Sequence, residues 1–245
     1  MPETRACDVL VVGGGVAGRS AAIFTARNGL DTVVLSAGSP ILRRNAHLEN
    51  YPGFPAGVNA RLLLDLMRDH LARAGATLES AEVTRLERDG EGFVAATAAG
   101  GTYRARYAIA ATKNAVDYLE PMAGVTVVDH GEAFVETDGR GRTGVDGLYA
   151  AGRLAEKPHQ TVVAAGHGAE VAVTLLEDAD VPFYHDWVAP EGYFTGRGRD
   201  VPPGCEEVGV AERRRRERES MAVMRAAFEA PHPDEPEQHP RVASD

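Results

Sequence analysis

Asp8-Val9-Leu10-Val11-Val12-Gly13-Gly14-Gly15-Val16-Ala17-Gly18 is the stretch from which the fold can be read. Asp8–Val12 is short and almost wholly apolar, the pattern of a parallel strand buried on both faces. Val16–Leu30 follows as a helix, with Ala21, Ala22, Ile23, Thr25 and Ala26 packing closely and Gly29 as its stop. Thr32–Ser36 is a second apolar run, so residues 8–36 form one βαβ unit. In that context the glycines at 13, 15 and 18 spell a dinucleotide loop. Gly13 allows the tight turn, Gly15 lets backbone approach a pyrophosphate, and Gly18 lets helix and strand pack. The helix start at Val16 and Ala17 offers free N–H groups and a partial positive charge to phosphates. The competing reading is a glycine-rich turn with no ligand. Ser36 stands at the end of the second strand, where an acidic residue is expected for a ribose. Its hydroxyl can bond a ribose but does not discriminate between cofactors.

Outward from this unit, a loop over 37–58 contains Glu49-Asn50-Tyr51-Pro52-Gly53, and residues 59–75 read as an amphipathic helix. Segments 76–88, 91–98 and 101–112 read as strands joined by Gly-containing turns. Residues 124–137 are strand-like, Leu148–Gly152 is a short buried strand, and Thr161–Leu176 is a helix. Gly139–Gly144 repeats the G-x-G-x-x-G spelling, but a strand follows it, so it reads as a turn. Residues 181–209 lack periodicity, and 211–229 read as a helix with Met221, Met224 and Phe228 on one side. Four prolines and several acids mark 231–245 as a disordered tail. The expected architecture is a three-layer, Rossmann-like α/β domain over residues 1–180, with a parallel sheet and a small antiparallel β-meander. A C-terminal extension with one helix over 181–230 and the tail complete the chain.

The chain of 245 residues carries a formal net charge of −10, which argues against a general nucleic-acid binder. No apolar run approaches the length of a membrane span, and no signal-peptide layout opens the sequence. Two cysteines, Cys7 and Cys205, supply neither a disulfide framework nor a metal cluster. A reducing cytoplasm, no membrane, no nucleic acid and no metal are the resulting expectations, with a homodimer left open. Cys7 reads as a small core residue and Cys205 as the candidate for an exposed thiol.

Residues 7–36, the Glu49–Gly53 loop, the Ala110-Ala111-Thr112 strand end and the Gly147–Ala169 stretch, taken in order, resemble the FAD domain of thioredoxin reductases. The resemblance covers residues 5–178. It implies FAD, with its pyrophosphate on the first glycine loop, its adenine near the backbone of Val83, and Asn50 near the flavin. It further implies that Gly152, Arg153, His159, Gln160 and Thr161 close over the ribityl chain and ring, with Thr112 at the neighbouring strand end. The departures are Lys113 where that family has Gly, Arg153 where it has Asp, and His159-Gln160-Thr161 where it has Arg-Gln-Ala. Arg153 cannot accept the hydrogen bond an Asp would, but it pairs readily with phosphate. Residues 113–147 are too few for the family's NADPH domain, since one βαβ unit needs about 30 residues or more. Its Cys-x-x-Cys pair is missing as well. The expected function is a FAD-dependent oxidoreductase fed by free NAD(P)H or a redox partner protein, with acceptor and catalytic residues unknown. The alternatives are a nucleotide-binding sensor or scaffold subunit, or a site for NAD(P) or an ADP-like ligand. His47 and His159 are candidates for tuning the flavin, and His167 reads as structural.

Overall fold

In a computed structural model, which describes residues 4–120, 122–179, 181–239 and 241–242, the opening run is strand β1 (Thr4–Val12). It pairs in parallel with β2 (Thr32–Ser36) on one side and β6 (Thr102–Ala110) on the other. β3 (Thr77–Ser80) extends the sheet beyond β2. β6 forks: its end pairs in parallel with β9 (Leu148–Ala150), while its first half pairs antiparallel with β5 (Gly92–Thr97). β4 (Val83–Asp89) completes the meander against β5.

The alternation along β1 builds the layers. Val9 and Val11 join the core shared with helices α1 (Val16–Arg27) and α3 (Thr161–Asp178). Leu10 and Val12 join Leu86, Phe93, Tyr118 and Leu119 on the opposite face. Both faces are covered, which is why the run is apolar without a break. Helix α2 (Ala60–Ala74) begins at Asn59, whose side chain accepts from the N–H of Arg61 and Leu62 at 2.9 and 3.2 Å. It ends at Gly75 in the left-handed region, φ 96°.

The stretch 76–88 is two strands rather than one. β3 ends at Ser80, and β4 starts at Val83 at the far end of the strand order. Two residues bridge this because the meander folds back over the sheet, placing Leu86 in the same buried cluster as Val33 and Leu35. No Gly or Pro marks the break, so the local sequence did not show it. Residues 124–137 likewise resolve into a hairpin, β7 (Val127–Asp129) and β8 (Ala133–Val135), turning at Gly131. The interval 113–147 thus holds a 3₁₀ turn, Asp117–Leu119, and this hairpin. At Gly139–Gly144 the Asp138 carboxylate accepts from the N–H of Arg140 and Arg142 at 2.8 and 3.0 Å, which closes a turn ahead of β9.

The aperiodic stretch 181–209 contains a parallel pair, β10 (Trp187–Pro190) and β11 (Cys205–Val208). The Glu207 carboxylate organises the turn after β10 by accepting from the N–H of Gly192 and Thr195, each at 3.0 Å, and from that of Phe194. Helix α4 (Val210–Ala227) buries no residue and is tied down through Arg216 to Glu206 and Glu219 to Arg73. The prolines and acids of 231–239 form no regular element, yet Arg43 and Asp65 hold that stretch against the body.

Helices α1 and α3 meet backbone to backbone: a Cβ at Gly168 would overlap the carbonyl of Ala17. Substituting Gly168→Ala should therefore destabilise the fold by about 3 kcal/mol, as overpacking does in a rigid core. Urea unfolding of the variant measures this directly.

Candidate functional site

At Gly13 the backbone turns sharply, with φ 114°, and a Cβ there would overlap the carbonyl of Ala111 at the end of β6. Only glycine satisfies both conditions. A Cβ at Gly18 would overlap the Gly13 carbonyl, so glycine is required there for packing. Gly15 is different: a Cβ built on it meets nothing within 4 Å. The loop is open at that residue, and the space beyond it is a trough.

The trough has two compartments that meet at Gly15, Ile41, Arg44 and Lys113. One, of about 520 Å³, is lined by Val16, Ala17, Asn50, Arg153, His159, Gln160 and Thr161 among others. The other, of about 410 Å³, is lined by Gly13, Ser36, Glu82, Val83 and Thr112 among others. Each lies in the range typical of cofactor pockets, roughly 300–1,000 Å³. Together they give the elongated shape a dinucleotide needs.

Two helices point their N-termini into it. Neither Gly15, before α1, nor Gln160, before α3, caps its helix with a side chain, and neither helix has an acid in its first turn. Their first N–H groups are available to an anion, and both helix dipoles favour one. The side-chain charges agree. Arg44, Lys113 and Arg153 line the trough against a single carboxylate among the described residues, Glu82, in a chain of net charge −10. Lys113 is held in the left-handed region, φ 65°, which costs a non-glycine residue about 1–2 kcal/mol. Arg153 stacks on Phe134, with its guanidinium carbon 4.6 Å from the ring centroid, and reaches Glu132 at 3.4 Å. The Asn50 amide donates to the Gln160 side-chain oxygen at 2.9 Å, which joins the 37–58 loop to the start of α3.

Of the expected site residues, Gly18 and Gly152 do not line the trough; they act beneath it. Gly152 has φ 68°, and its N–H donates to Nδ1 of the buried His167 at 2.9 Å. His47 faces Glu49 at 2.8 Å and does not line the trough either. Cys7 is removed from reaction, since burial pushes its thiol up to about 12. Sequence reasoning missed Arg19 and Arg61. Arg19 is buried on α1, donates from Nε to the Gly14 carbonyl at 2.8 Å, and also reaches the Leu64 carbonyl on α2. Arg61 is buried on α2 and donates to the carbonyls of Asn45 at 2.6 Å and Ala46 at 3.1 Å. An arginine falling among the buried positions of each helix is the one signal that could have found them.

A sequence model of the FAD binding domain family matches residues 8–48, the part that carries the glycine loop. A bifunctional thioredoxin reductase/thioredoxin from Mycobacterium leprae is 37% identical over 115 residues, 46% of this chain and 25% of that protein. A thioredoxin reductase from Listeria monocytogenes is 36% identical over 112 residues, 45% of this chain and 34% of that protein. The chain thus spans a quarter to a third of the length of the curated relatives it matches. Among solved structures, a thioredoxin reductase from Gloeobacter violaceus superposes with TM-score 0.66 at 20% identity, over 73% of this chain and 97% of that one. A ferredoxin-flavin thioredoxin reductase from Clostridium acetobutylicum gives 0.63 at 16% identity, over 73% and 99%. Fold and trough define the class, a Rossmann-like FAD-binding domain. Within that class, the chain is similar to the FAD-binding part of thioredoxin reductases.

Because Gly15 has ordinary φ (−74°) and open space beside it, Gly15→Val should leave the melting temperature within about 2 °C, the shift of an effect under ~0.5 kcal/mol. Its side chain should fill the trough and abolish FAD binding in a fluorescence titration. His167 accepts at Nδ1, and burial, reinforced by the nearby Lys157 charge, pushes its pKa down to about 4. The unfolded chain takes up that proton near pH 6.5 and the folded chain does not, so stability falls as pH drops from about 6.5 to 4, by up to about 3 kcal/mol. In His167→Asn, which keeps an acceptor at the Nδ1 position, that part of the pH slope should vanish from urea-unfolding curves.

Proposed function

We propose that this chain is a FAD-dependent oxidoreductase that takes electrons from free NAD(P)H or from a redox partner protein. The observation that carries the reading is the meeting of two uncapped helix N-termini with Arg44, Lys113 and Arg153 in one trough of an acidic chain. An anionic, elongated cofactor neutralises that concentration of positive charge.

The residues divide the work as follows. The N–H groups at Val16 and Ala17 bind the pyrophosphate, and Gly15 leaves room for it. Ser36 and the Val83 backbone hold the adenosine half. Asn50, Gln160 and Thr161 orient the other half. His159 lies at that end and is available to exchange a proton. Arg153 replaces an acceptor-type contact with positive charge and Lys113 adds a second charge, which stabilises the more negative state of whatever the trough holds. FAD bound there supplies hydride and single-electron chemistry, which the chain's own side chains lack. An outside donor is favoured by the interval between β6 and β9, whose described residues form a 3₁₀ turn and a hairpin.

A second reading rests on the same two cations. With Arg153 and Lys113 at their positions, the trough also suits a nucleotide held for sensing or assembly, without electron transfer. The visible spectrum separates the two. After incubation with FAD and removal of the excess, a retained flavin band that bleaches on anaerobic addition of NADPH is the expected result. A band that persists with NADPH but bleaches with a reduced partner protein would assign the donor to that partner. Absence of any band, together with calorimetric binding of ADP, would overturn the oxidoreductase reading in favour of the sensor.

A further inference from the structure

Beyond α4 the chain returns to the trough. Phe228 packs on Phe54, ring centroids 6.1 Å apart. His232, almost fully buried at its side chain, reaches the Asp65 carboxylate from Nε2 at 3.0 Å, while its Nδ1 accepts the N–H of Asp234 at 3.0 Å. Arg43 then grips the segment twice, to Asp234 at 2.7 Å and to Glu237 at 2.8 Å. The Glu237 N–H donates to the Arg43 carbonyl at 3.1 Å. Ser39 and Arg43 hold the Glu237 carboxyl below its usual range.

Arg43 belongs to a 3₁₀ turn, Ile41–Arg44, whose other members Ile41, Leu42 and Arg44 all line the larger compartment. Two residues past Glu237, His239 lines that compartment as well. Its Nδ1 accepts the N–H of Arg241 at 3.1 Å, and its carbonyl accepts that of Val242 at 2.8 Å. With Nδ1 accepting, the ring proton sits on Nε2, so His239 brings a hydrogen-bond donor to a wall otherwise built by residues 15–164.

We infer that the segment from Phe228 to His239 is part of the cofactor site: it straps the Ile41–Arg44 turn and positions His239 as a donor to the group bound in the larger compartment. This rests on the reading of the trough as a FAD site. The two Arg43 ion pairs are partly exposed and individually weak, so the strap opens more readily than the sheet beneath it. A ligand that accepts from His239 closes it.

The test uses the full chain. Asp234→Ala/Glu237→Ala frees the strap without altering a residue that lines the trough. His239→Ala removes the donor, and His239→Gln returns an N–H at the Nε2 position. FAD affinity is read by fluorescence titration, the environment of the bound flavin by its visible spectrum, and the strap itself by hydrogen exchange over 231–239 with and without FAD. The expected results are a roughly three- to tenfold weaker Kd for His239→Ala, the loss of about one hydrogen bond, with a shifted spectrum. Recovery of both in His239→Gln, and exchange that FAD slows in the wild type but not in the double variant, complete the pattern. If His239→Ala and the double variant bind FAD like the wild type, the strap plays no part in the site and the inference is wrong. Weakening that tracks a fall in melting temperature and is not rescued by Gln would also overturn it, in favour of a packing role. If the wild-type chain binds no FAD at all, the reading of the trough fails, and this inference with it.

Discussion

The close approach of three backbones around Gly13 is the constraint on which the molecule depends. β1 ends just before it, Ala111 directly after β6 lies against it, and α1 begins three residues later with Gly18 lying over the Gly13 carbonyl. Any Cβ at Gly13 or Gly18 would separate strand from strand or helix from strand. With the three held together, the N-terminus of α1 opens at the C-terminal edge of the parallel strands, where open α/β sheets bind their ligands. α3 is brought to the same edge by an equally close contact, Gly168 on Ala17. The charge complement of the trough is thus a consequence of packing before it is a consequence of side chains.

Arginines buried behind the site transmit this order to the loops. Arg19 connects the glycine loop to α2 through the carbonyls of Gly14 and Leu64. Arg61 connects α2 to the carbonyls of Arg43, Asn45 and Ala46. Arg61 satisfies backbone oxygens that no helix or strand would otherwise pair, which is what a long irregular loop such as 37–58 requires in order to hold one shape. His167 does the same from the other side by accepting the N–H of Gly152. A buried neutral histidine there keeps the turn before Arg153 fixed without adding charge.

The acidic composition and the basic trough are complementary. A chain of net charge −10 would repel an anionic cofactor at long range. Over distances longer than about 10 Å salt screens that repulsion, while Arg44, Lys113, Arg153 and the helix dipoles act at contact. Lys113 is notable because it keeps a left-handed conformation at a cost that glycine would not incur. Its charge at that point of the trough is the compensating gain.

How much was legible in the residues follows from the range of the forces involved. The βαβ unit, helix α2 and the turn at 139–144 could be read in advance, because apolar periodicity and glycine placement act over a few neighbouring residues. The fork in β6, the break between β3 and β4 and the β10–β11 pair were not legible, because each depends on which distant strand supplies the partner hydrogen bonds. The same division runs through the site. The glycine loop, Ser36, Asn50 and the Arg153–Thr161 stretch stood out as residues, and they line or support one trough. Arg44, the bracing by Arg19 and Arg61, and the return of His239 appeared only in three dimensions. Ion pairs such as Arg43 with Glu237 join positions 194 residues apart, and no local pattern encodes a contact that only the closed fold brings within reach.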